Sequence, residues 1–465
     1  MSKAKSRFLC SLLILTLLLA PIPVQAQQGG PIYIVQSGDT LSVIARTFGT
    51  TVDAIMTANG ISNPAGLQPG QQLVIPGYEG VNGVLQTQSV DLGDTVQTLA
   101  WRYGSNADSL ARLNRVVNPN RLYLGESFLL PELTEGELAL QASLETVEAG
   151  RGLLKSALGV GLNPWRLALL TSGGPRLWLV PGELVPVPDE GGTLGPLPVP
   201  ISAGSIEPAP AEQGSTVVIK VVLESGGQLQ GTLADHDLNF MDAGDGEWIA
   251  LQGINALIDP GLYDLQVELL DETGELVFGF TQPFPIRSGG YGFDPVLFVP
   301  EETIGPENTV PEDEEIAQLV ASATAEKRWQ GPFEFPSDYY TESFPSFFGT
   351  RRNYNNTSYN AYHTGLDFYG GVGVEIKAPA PGTVVFSGPL TVRGNSTIID
   401  HGWGVYTLYF HQSELLVEEG DQVDTGEVIG LVGGTGRATG PHLHWEVRVG
   451  GEPVQPLDWV ERGYP

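Results

Sequence analysis

From Leu443 onward, apolar and polar residues alternate through Gly440-Pro441-His442-Leu443-His444-Trp445-Glu446-Val447-Arg448-Val449, the pattern of a half-buried strand. Residues two apart in a strand point the same way, so His442 and His444 share one face and Leu443 and Trp445 the other. Near the start of the chain the period changes. Val35 to Pro76, and again Val90 to Pro131, read strand, Gly-Asp-Thr turn, helix, helix, Pro/Gly turn, strand. In the first unit Leu41, Ile44 and Ala45 mark one helical face, and Val52, Ile55 and Met56 the next. Thr40 and Thr95 stand where helix caps belong. A third stretch of equal length, Val147 to Pro188, repeats the order with Gly150-Arg151-Gly152 in place of Gly-Asp-Thr. Short strand patterns then recur at Thr216 to Val222, Leu229 to Leu233, Trp248 to Leu251, Gly261 to Leu270 and Leu276 to Phe280, which predicts an all-β sandwich. Pro- and Gly-rich stretches on either side read as linkers, the later one holding a single helix from Pro311 to Ala325.

The 465 residues suffice for several domains. A basic head, an apolar run from Phe8 to Ala20 and the small residues around Ala26 read as a secretory signal peptide cleaved after Ala26. The apolar run is short for a membrane span. Cys10, the single cysteine, lies inside that run, so the exported chain has no disulfide and its domains hold by their own cores. No other stretch is long and apolar enough to span a membrane, which predicts a protein that is not membrane-spanning after signal cleavage. The formal charge of −31, from 23 basic and 54 acidic residues, argues against nucleic acid and anionic lipid as partners.

The first two repeats resemble LysM modules. The resemblance rests on the Gly-Asp-Thr entry, on Asn59 or Asn114 after the second helix, and on the exit from Leu67 to Pro76 or Leu122 to Pro131. Val96 and Phe128 replace two of the family's leucines in the second copy. The resemblance implies a small βααβ fold that binds N-acetylglucosamine-containing glycans. The implied groove lies between the entry turn (Gly38, Asp39, Thr40; Gly93, Asp94, Thr95) and the segment after the second helix (Asn59, Gly60, Ile61; Asn114). In the third copy the fold pattern persists while the glycan signature is lost. The Pro260-to-Leu265 run looks like late strands of bacterial immunoglobulin-like domains, and His236 lies in a polar, turn-like segment between Asp235 and Asp237.

Five of the six histidines lie between His363 and His444. A catalytic zinc takes about three protein ligands of the His/Asp/Glu kind and keeps a further position open. His363 and Asp367 offer one imidazole and one carboxylate, and His444 completes a set. His442 and His411 could stand beside such a metal without binding it, serving in proton transfer or oxyanion stabilisation. The chain has neither a serine-elbow motif nor a cysteine here, so metal-assisted hydrolysis is preferred over nucleophilic catalysis.

The ordered set of His363-x-x-x-Asp367, the Gly-rich hairpins, His411 and His442-x-His444 resembles the lysostaphin- and LytM-type zinc metalloendopeptidases of bacterial cell walls, from Phe348 to Trp459. The resemblance implies a mostly antiparallel β fold with an open groove and one Zn(II) per catalytic domain. It makes His363, Asp367 and His444 the ligands and His411 and His442 the catalytic pair, with His401 structural. It also implies hydrolysis of peptidoglycan stem-peptide or cross-bridge bonds. The expected chain is therefore multidomain: signal peptide (1–26), LysM modules (31–77 and 86–132), degenerate LysM-like module (143–189), linker (190–210), immunoglobulin-like β-sandwich spacer (211–288), linker (289–335) and zinc metallopeptidase (336–465). The expected protein is exported, to periplasm or extracellular wall, and bound to peptidoglycan. The alternative is a non-catalytic activator of wall amidases or a wall-binding scaffold.

Overall fold

A computed structural model describes residues 30–119, 121–132, 141–171, 178–339 and 343–465. The signal-peptide reading falls on residues 1–26, outside the described residues. The chain divides into two compact units between Asn82 and Gly83.

In the first unit, Pro31–Ile34 pairs antiparallel with Gln72–Val74 around the helices Leu41–Thr47 and Val52–Asn59. Thr40 and Thr51 cap the two helices by accepting the N–H groups of Val43 and Ala54. Leu41, Ile44, Ala45, Phe48, Ile55 and Leu73 are buried. Val52 and Met56 are only half-buried, so the second helix presents a narrower stripe than its pattern suggests. The side chain of Asn59 ties that helix to the closing strand. It donates to the carbonyls of Ile55 and Val74, both at 2.8 Å, and accepts Val74 N–H at 2.7 Å.

The second unit opens with the same design. Gly83–Ser89 pairs with Ser127–Pro131 around Val96–Arg102 and Ala107–Leu113, and Asn114 repeats the three bonds of Asn59. The third repeat also folds as strand, two helices and strand: Gln141–Thr146, Leu153–Gly159, Pro164–Leu170 and Leu184–Thr193. Its first helix has no side-chain cap, because Gly152 stands where Thr40 and Thr95 stood. Ser172, where the Asn would fall, lies outside the described residues.

Two antiparallel-paired sheets follow. One is ordered Met241–Gly244, Glu247–Gly253, Thr216–Leu223, Ile201–Glu207. The other runs His236–Asp237, Gln228–Leu233, Gly261–Leu270, Leu276–Arg287, with Ala211–Glu212 joining parallel at the far edge. They share a core of Ile206, Val217, Ile219 and Ala250 from the first sheet with Leu233, Leu265, Val267 and Phe284 from the second. Four of the five predicted strands recur with shifts of at most two residues at their ends, and the fifth, read as Leu276 to Phe280, runs on to Arg287. Ile201–Glu207 lies in the stretch read as a linker, and this corrects that reading. The prolines that suggested a linker, Pro198, Pro200, Pro208 and Pro210 among them, flank the strand without entering it, and the strand is an edge, paired in its sheet with Thr216–Leu223.

The C-terminal sheet is antiparallel throughout. Its backbone is the series Leu366–Tyr369, His442–Val449, Val405–Leu415, Gly394–Gly402, Gly382–Leu390. Leu443, Trp445, Val447 and Val449 pack on one face, into a core that also takes Ile249 and Leu251 from the preceding sheets. Those sheets are therefore no free spacer. Trp459 Nε1 donates to Thr216 Oγ1 at 3.0 Å, Asn255 donates to Glu452 at 2.7 Å, and His236 pairs with Glu452 at 3.4 Å. The linker expected over 289–335 is likewise packed in. Phe293 and Leu297 bridge to Arg351 and Tyr354, and Trp329 is buried between Trp403 and Trp459. The helix here runs Pro306–Leu319 rather than Pro311 to Ala325. It starts at Pro306 because proline suits the first helical turn. Beyond it, Val320 docks with Ile316 on Ile398, Tyr406, Leu408 and Phe410. Phe344 joins the C-terminal core, Tyr339 is exposed, and Tyr340 lies outside the described residues.

Asn59→Ala removes three partly buried bonds worth about 2 kcal/mol together. Hydrogen exchange should show roughly 30-fold less protection at the Val74 amide. Unchanged protection there would mean that the asparagine does not lock the module.

Candidate metal centre

The strand pairing builds the site. Asp367 lies directly opposite His444 in the register between Leu366–Tyr369 and His442–Val449. His363 precedes that strand by three residues, held by its N–H to Thr350 O bond at 2.9 Å. As a result His363 Nε2, Asp367 Oδ1 and His444 Nδ1 stand 2.9 Å from one another in all three pairs. All three side chains are buried.

The far side of each group is already taken, and this decides which atoms face inward. His363 Nδ1 donates to the Phe347 carbonyl at 3.0 Å, which leaves Nε2 as a lone pair. His444 Nε2 lies 3.2 Å from Glu446 Oε1, so its N–H points to the carboxylate and Nδ1 is the lone pair. Asp367 Oδ2 accepts Arg352 at 2.9 Å, and Oδ1 turns inward. Phe410 stacks on the His444 ring, with planes 9° apart and centroids at 5.3 Å. Glu446 is itself anchored by Thr364 and by Arg448 Nε at 2.8 Å.

The charges follow this arrangement. Burial, reinforced by Arg352, pushes the His363 imidazole down to about 4 against the pull of Asp367. For Asp367 burial acts upward, but His363 and Arg352 outweigh it and hold the carboxyl well below its usual range. Burial acts downward on His444, and its bonds to Asp367 and Glu446 win, so this imidazole is raised: with no metal, a proton between Nδ1 and Asp367 Oδ1 holds the place a metal cation would take. Three lone pairs pointed at one spot is a set that a shared cation completes. Bonds of about 2.0–2.2 Å to one zinc put neighbouring ligand atoms about 3–3.5 Å apart, close to the separation seen. The residues present fit a zinc ion.

His411 and His442 border this cluster. His411 sits within Val405–Leu415 and takes φ of +64°, a backbone conformation that costs a non-glycine residue energy. Its ring centroid lies 4.9 Å from His442 and 6.1 Å from His444. Its Nδ1 donates to Thr435 O at 2.7 Å, and His442 Nδ1 donates to Gly440 O at 2.8 Å. Nε2 of His411 has no hydrogen-bond partner among the described residues. Nε2 of His442 is 3.8 Å from Asp367 Oδ1, beyond hydrogen-bond reach. Burial and the neighbouring imidazoles hold His411 well below its usual range, hence neutral.

His401 stands apart from the cluster, bonded to Pro381 O and Thr407 Oγ1, both at 2.8 Å, and packed on Phe333. Two cavities of about 260 and 290 Å³ open beside the metal-ligand group, and the 289–335 stretch walls one of them with Asp294, Leu297 and Val299. A larger cavity, about 810 Å³, lies elsewhere and contains no histidine in its lining of residues such as Ser205, Thr216, Lys220 and Tyr464. It has none of the chemistry described here.

The expected glycan positions divide in two. In the first module Gly38, Thr40 and Gly60 are exposed, while Asp39 and Ile61 are half-buried. Asp39 accepts Tyr33 OH and Gln36 N–H, both at 2.7 Å, and Asn59 is spent internally. In the second module the turn is occupied. Gly93 N–H donates to Gln282 at 2.9 Å, Leu92 is buried in the core of the middle sheets, and a Cβ on Gly93 would meet Leu197 at 2.4 Å. Asp94 is buried, accepting Asp91 N–H at 3.0 Å and Arg102 at 2.7 Å. Thr95 is half-buried and closes a capping box with Thr98.

Sequence reading missed Glu446, Arg352 and Asp294. Glu446 was legible in principle, because alternation puts 442, 444 and 446 on one face. Arg352 and Asp294 arrive through pairings between distant segments, which no local pattern announces. Asp294 accepts Arg352 Nε at 3.2 Å and Ser346 at 2.9 Å.

Comparison with known proteins agrees with this geometry. Residues 361–456 match the model for peptidase family M23, and residues 33–76 and 89–131 match the LysM domain. The chain therefore carries an M23 peptidase domain preceded by two LysM domains. Over 95 residues it is 48% identical to the DD-carboxypeptidase/endopeptidase Mpg of Neisseria meningitidis, covering 20% of this chain and 22% of that one. Over 112 residues it is 41% identical to the peptidoglycan DD-endopeptidase ShyA of Vibrio cholerae, covering 24% and 26%. The catalytic domain of lysostaphin from Staphylococcus simulans aligns at 26% identity and a TM-score of 0.21, over 31% of this chain and 97% of that domain. The chain thus spans only about a quarter or less of the curated relatives it matches.

Glu446→Gln keeps the shape of the side chain but removes the charge that fixes the His444 tautomer. Zinc affinity, measured by competition with a chelator, should fall about 10- to 100-fold. Equal affinity would remove Glu446 from the metal site.

Proposed function

We propose that this chain is an exported zinc endopeptidase that cleaves peptide bonds of peptidoglycan, with D-amino-acid cross-links as the favoured class. The observation that carries the proposal is the buried triangle of His363 Nε2, Asp367 Oδ1 and His444 Nδ1, every lone pair preset by an outer partner. An amidase activator or a scaffold needs no such set. The relatives named DD-endopeptidases match this same domain, which supports the choice of bond.

One Zn(II), held by His363, Asp367 and His444, would polarise the scissile carbonyl and lower the pKa of a water from about 15.7 toward 7. The chain supplies the proton handling. His411 and His442 each anchor Nδ1–H on a backbone carbonyl, so each presents Nε2 in a fixed direction. A neutral Nε2 takes a proton, and the imidazolium then gives it to the departing amine or donates to the developing oxyanion. His444, Glu446 and Arg448 form a buried hydrogen-bonded chain that keeps the ligand ring from turning.

Binding to glycan strands is assigned to the first LysM module, whose entry turn exposes Gly38 and Thr40; the corresponding turn of the second is packed against the middle sheets. The middle sheets, here read as immunoglobulin-like, brace the catalytic sheet as well as linking it to the modules. Among the described residues no helix is long and apolar enough to cross a membrane, and the wall substrate requires export.

Purified wall sacculi incubated with the full chain should release uncross-linked muropeptides. Chelator and His444→Ala should each reduce release at least about 1,000-fold. Release that persists in both would rule out the zinc mechanism.

A further inference from the structure

The two cavities beside the metal-ligand group share four side chains: Arg352, Tyr354, His411 and Arg437. The first cavity adds a third guanidinium, Arg393. The three cations differ in what neutralises them. Arg352 pairs with Asp367 at 2.9 Å and Asp294 at 3.2 Å. Arg393 pairs with Glu312 at 3.0 Å and Asp313 at 2.8 Å. Arg437 has no carboxylate within ion-pair distance among the described residues. Its guanidinium lies 4.4 Å above the centroid of the Tyr354 ring, and Nη1 donates to the Thr303 carbonyl at 3.2 Å.

The carboxylates that face it are already engaged. Asp313 serves Arg393, and Glu446 serves Arg448 and His444. Burial disfavours the charge on Arg437, and Arg393 and Arg352 add to that, yet an arginine stays protonated. The groove therefore holds a guanidinium with a fixed plane, an open fork and an unmet positive charge, beside the imidazole of His411.

The two bond classes expected of a wall endopeptidase differ in the charge beside the scissile bond. In a D-alanyl cross-link to a diamino dicarboxylic acid, or a D-Ala-D-Ala terminus, the residue that supplies the leaving amine carries a free carboxylate on the carbon that bears that amine. A Gly-Gly bridge carries no charge there. We propose that Arg437, levelled on Tyr354, binds the free carboxylate on the leaving-amine side of the scissile bond and so selects D-amino-acid cross-links over neutral bridges. The assignment rests on the endopeptidase reading and deepens it, since a guanidinium fork matches a carboxylate bidentately.

Two measurements on the full chain decide it. With zinc removed, N-acetyl-D-Ala-D-Ala and its C-terminal amide are titrated by ligand-observed nuclear magnetic resonance. The acid should bind roughly 10- to 100-fold more tightly than the amide. Arg437→Gln should abolish the difference and Arg437→Lys retain part of it. With zinc bound, a cross-linked muropeptide dimer and its counterpart amidated at that carboxylate should differ chiefly in KM, with Arg437→Gln bringing the acid to the level of the amide. Equal binding of acid and amide by the unmodified chain, or a preference that survives in Arg437→Gln, would overturn the assignment. Absence of turnover would refute the endopeptidase reading, and the binding titration would still decide the carboxylate site.

Discussion

Three lone pairs converging at 2.9 Å inside a protein repel one another unless something positive sits between them. That constraint governs the C-terminal domain. Each ligand is pinned from behind, His363 by a backbone carbonyl, His444 by Glu446 and Asp367 by Arg352. These outer partners prevent the rings from rotating to relieve the crowding. The register of two strands brings the carboxylate and one imidazole together, and the packing of Trp445 and Leu443 into the core behind them keeps that register from slipping.

The support extends well beyond the family domain. The stretch between the middle sheets and the catalytic sheet carries Asp294, which holds Arg352, and Glu312, which accepts the N–H groups of Val392 at 2.7 Å and Arg393 at 2.9 Å. Both anchors act on the walls of the groove. The middle sheets are buried on both faces of Glu247–Gly253, with Ala250 facing one core and Ile249 and Leu251 the other. The second LysM domain is attached to the same body through Gly93 and Leu124, whose N–H donates to Pro283 O at 2.9 Å. A module that docks its entry turn internally serves as architecture, while the first module keeps its turn exposed.

Much of this was legible because it depends on local period. The alternation after Leu443 placed His442 and His444 on one face, and the two Thr-capped helices per module followed from helical spacing and the Gly-Asp-Thr turn. What escaped was non-local. Asn59 and Asn114 stand in the groove the LysM resemblance implies, and what the sequence does not show is that each amide joins its helix to a strand fifteen residues away. The stretches read as linkers are rich in Pro and Gly, which signals turns but says nothing of what the turns pack against; Trp329 in particular fills a cage made by Trp403 and Trp459. The positive φ of His411 follows from tertiary packing and leaves no mark in the sequence.

The account turns on a single occupant for the convergent site. Anomalous diffraction across the zinc edge from crystals of the full chain grown with zinc tests it most directly. The account predicts a peak bonded to His363 Nε2, Asp367 Oδ1 and His444 Nδ1. Density at a different atom set, such as His444 Nε2, or no peak among these three side chains, would contradict it.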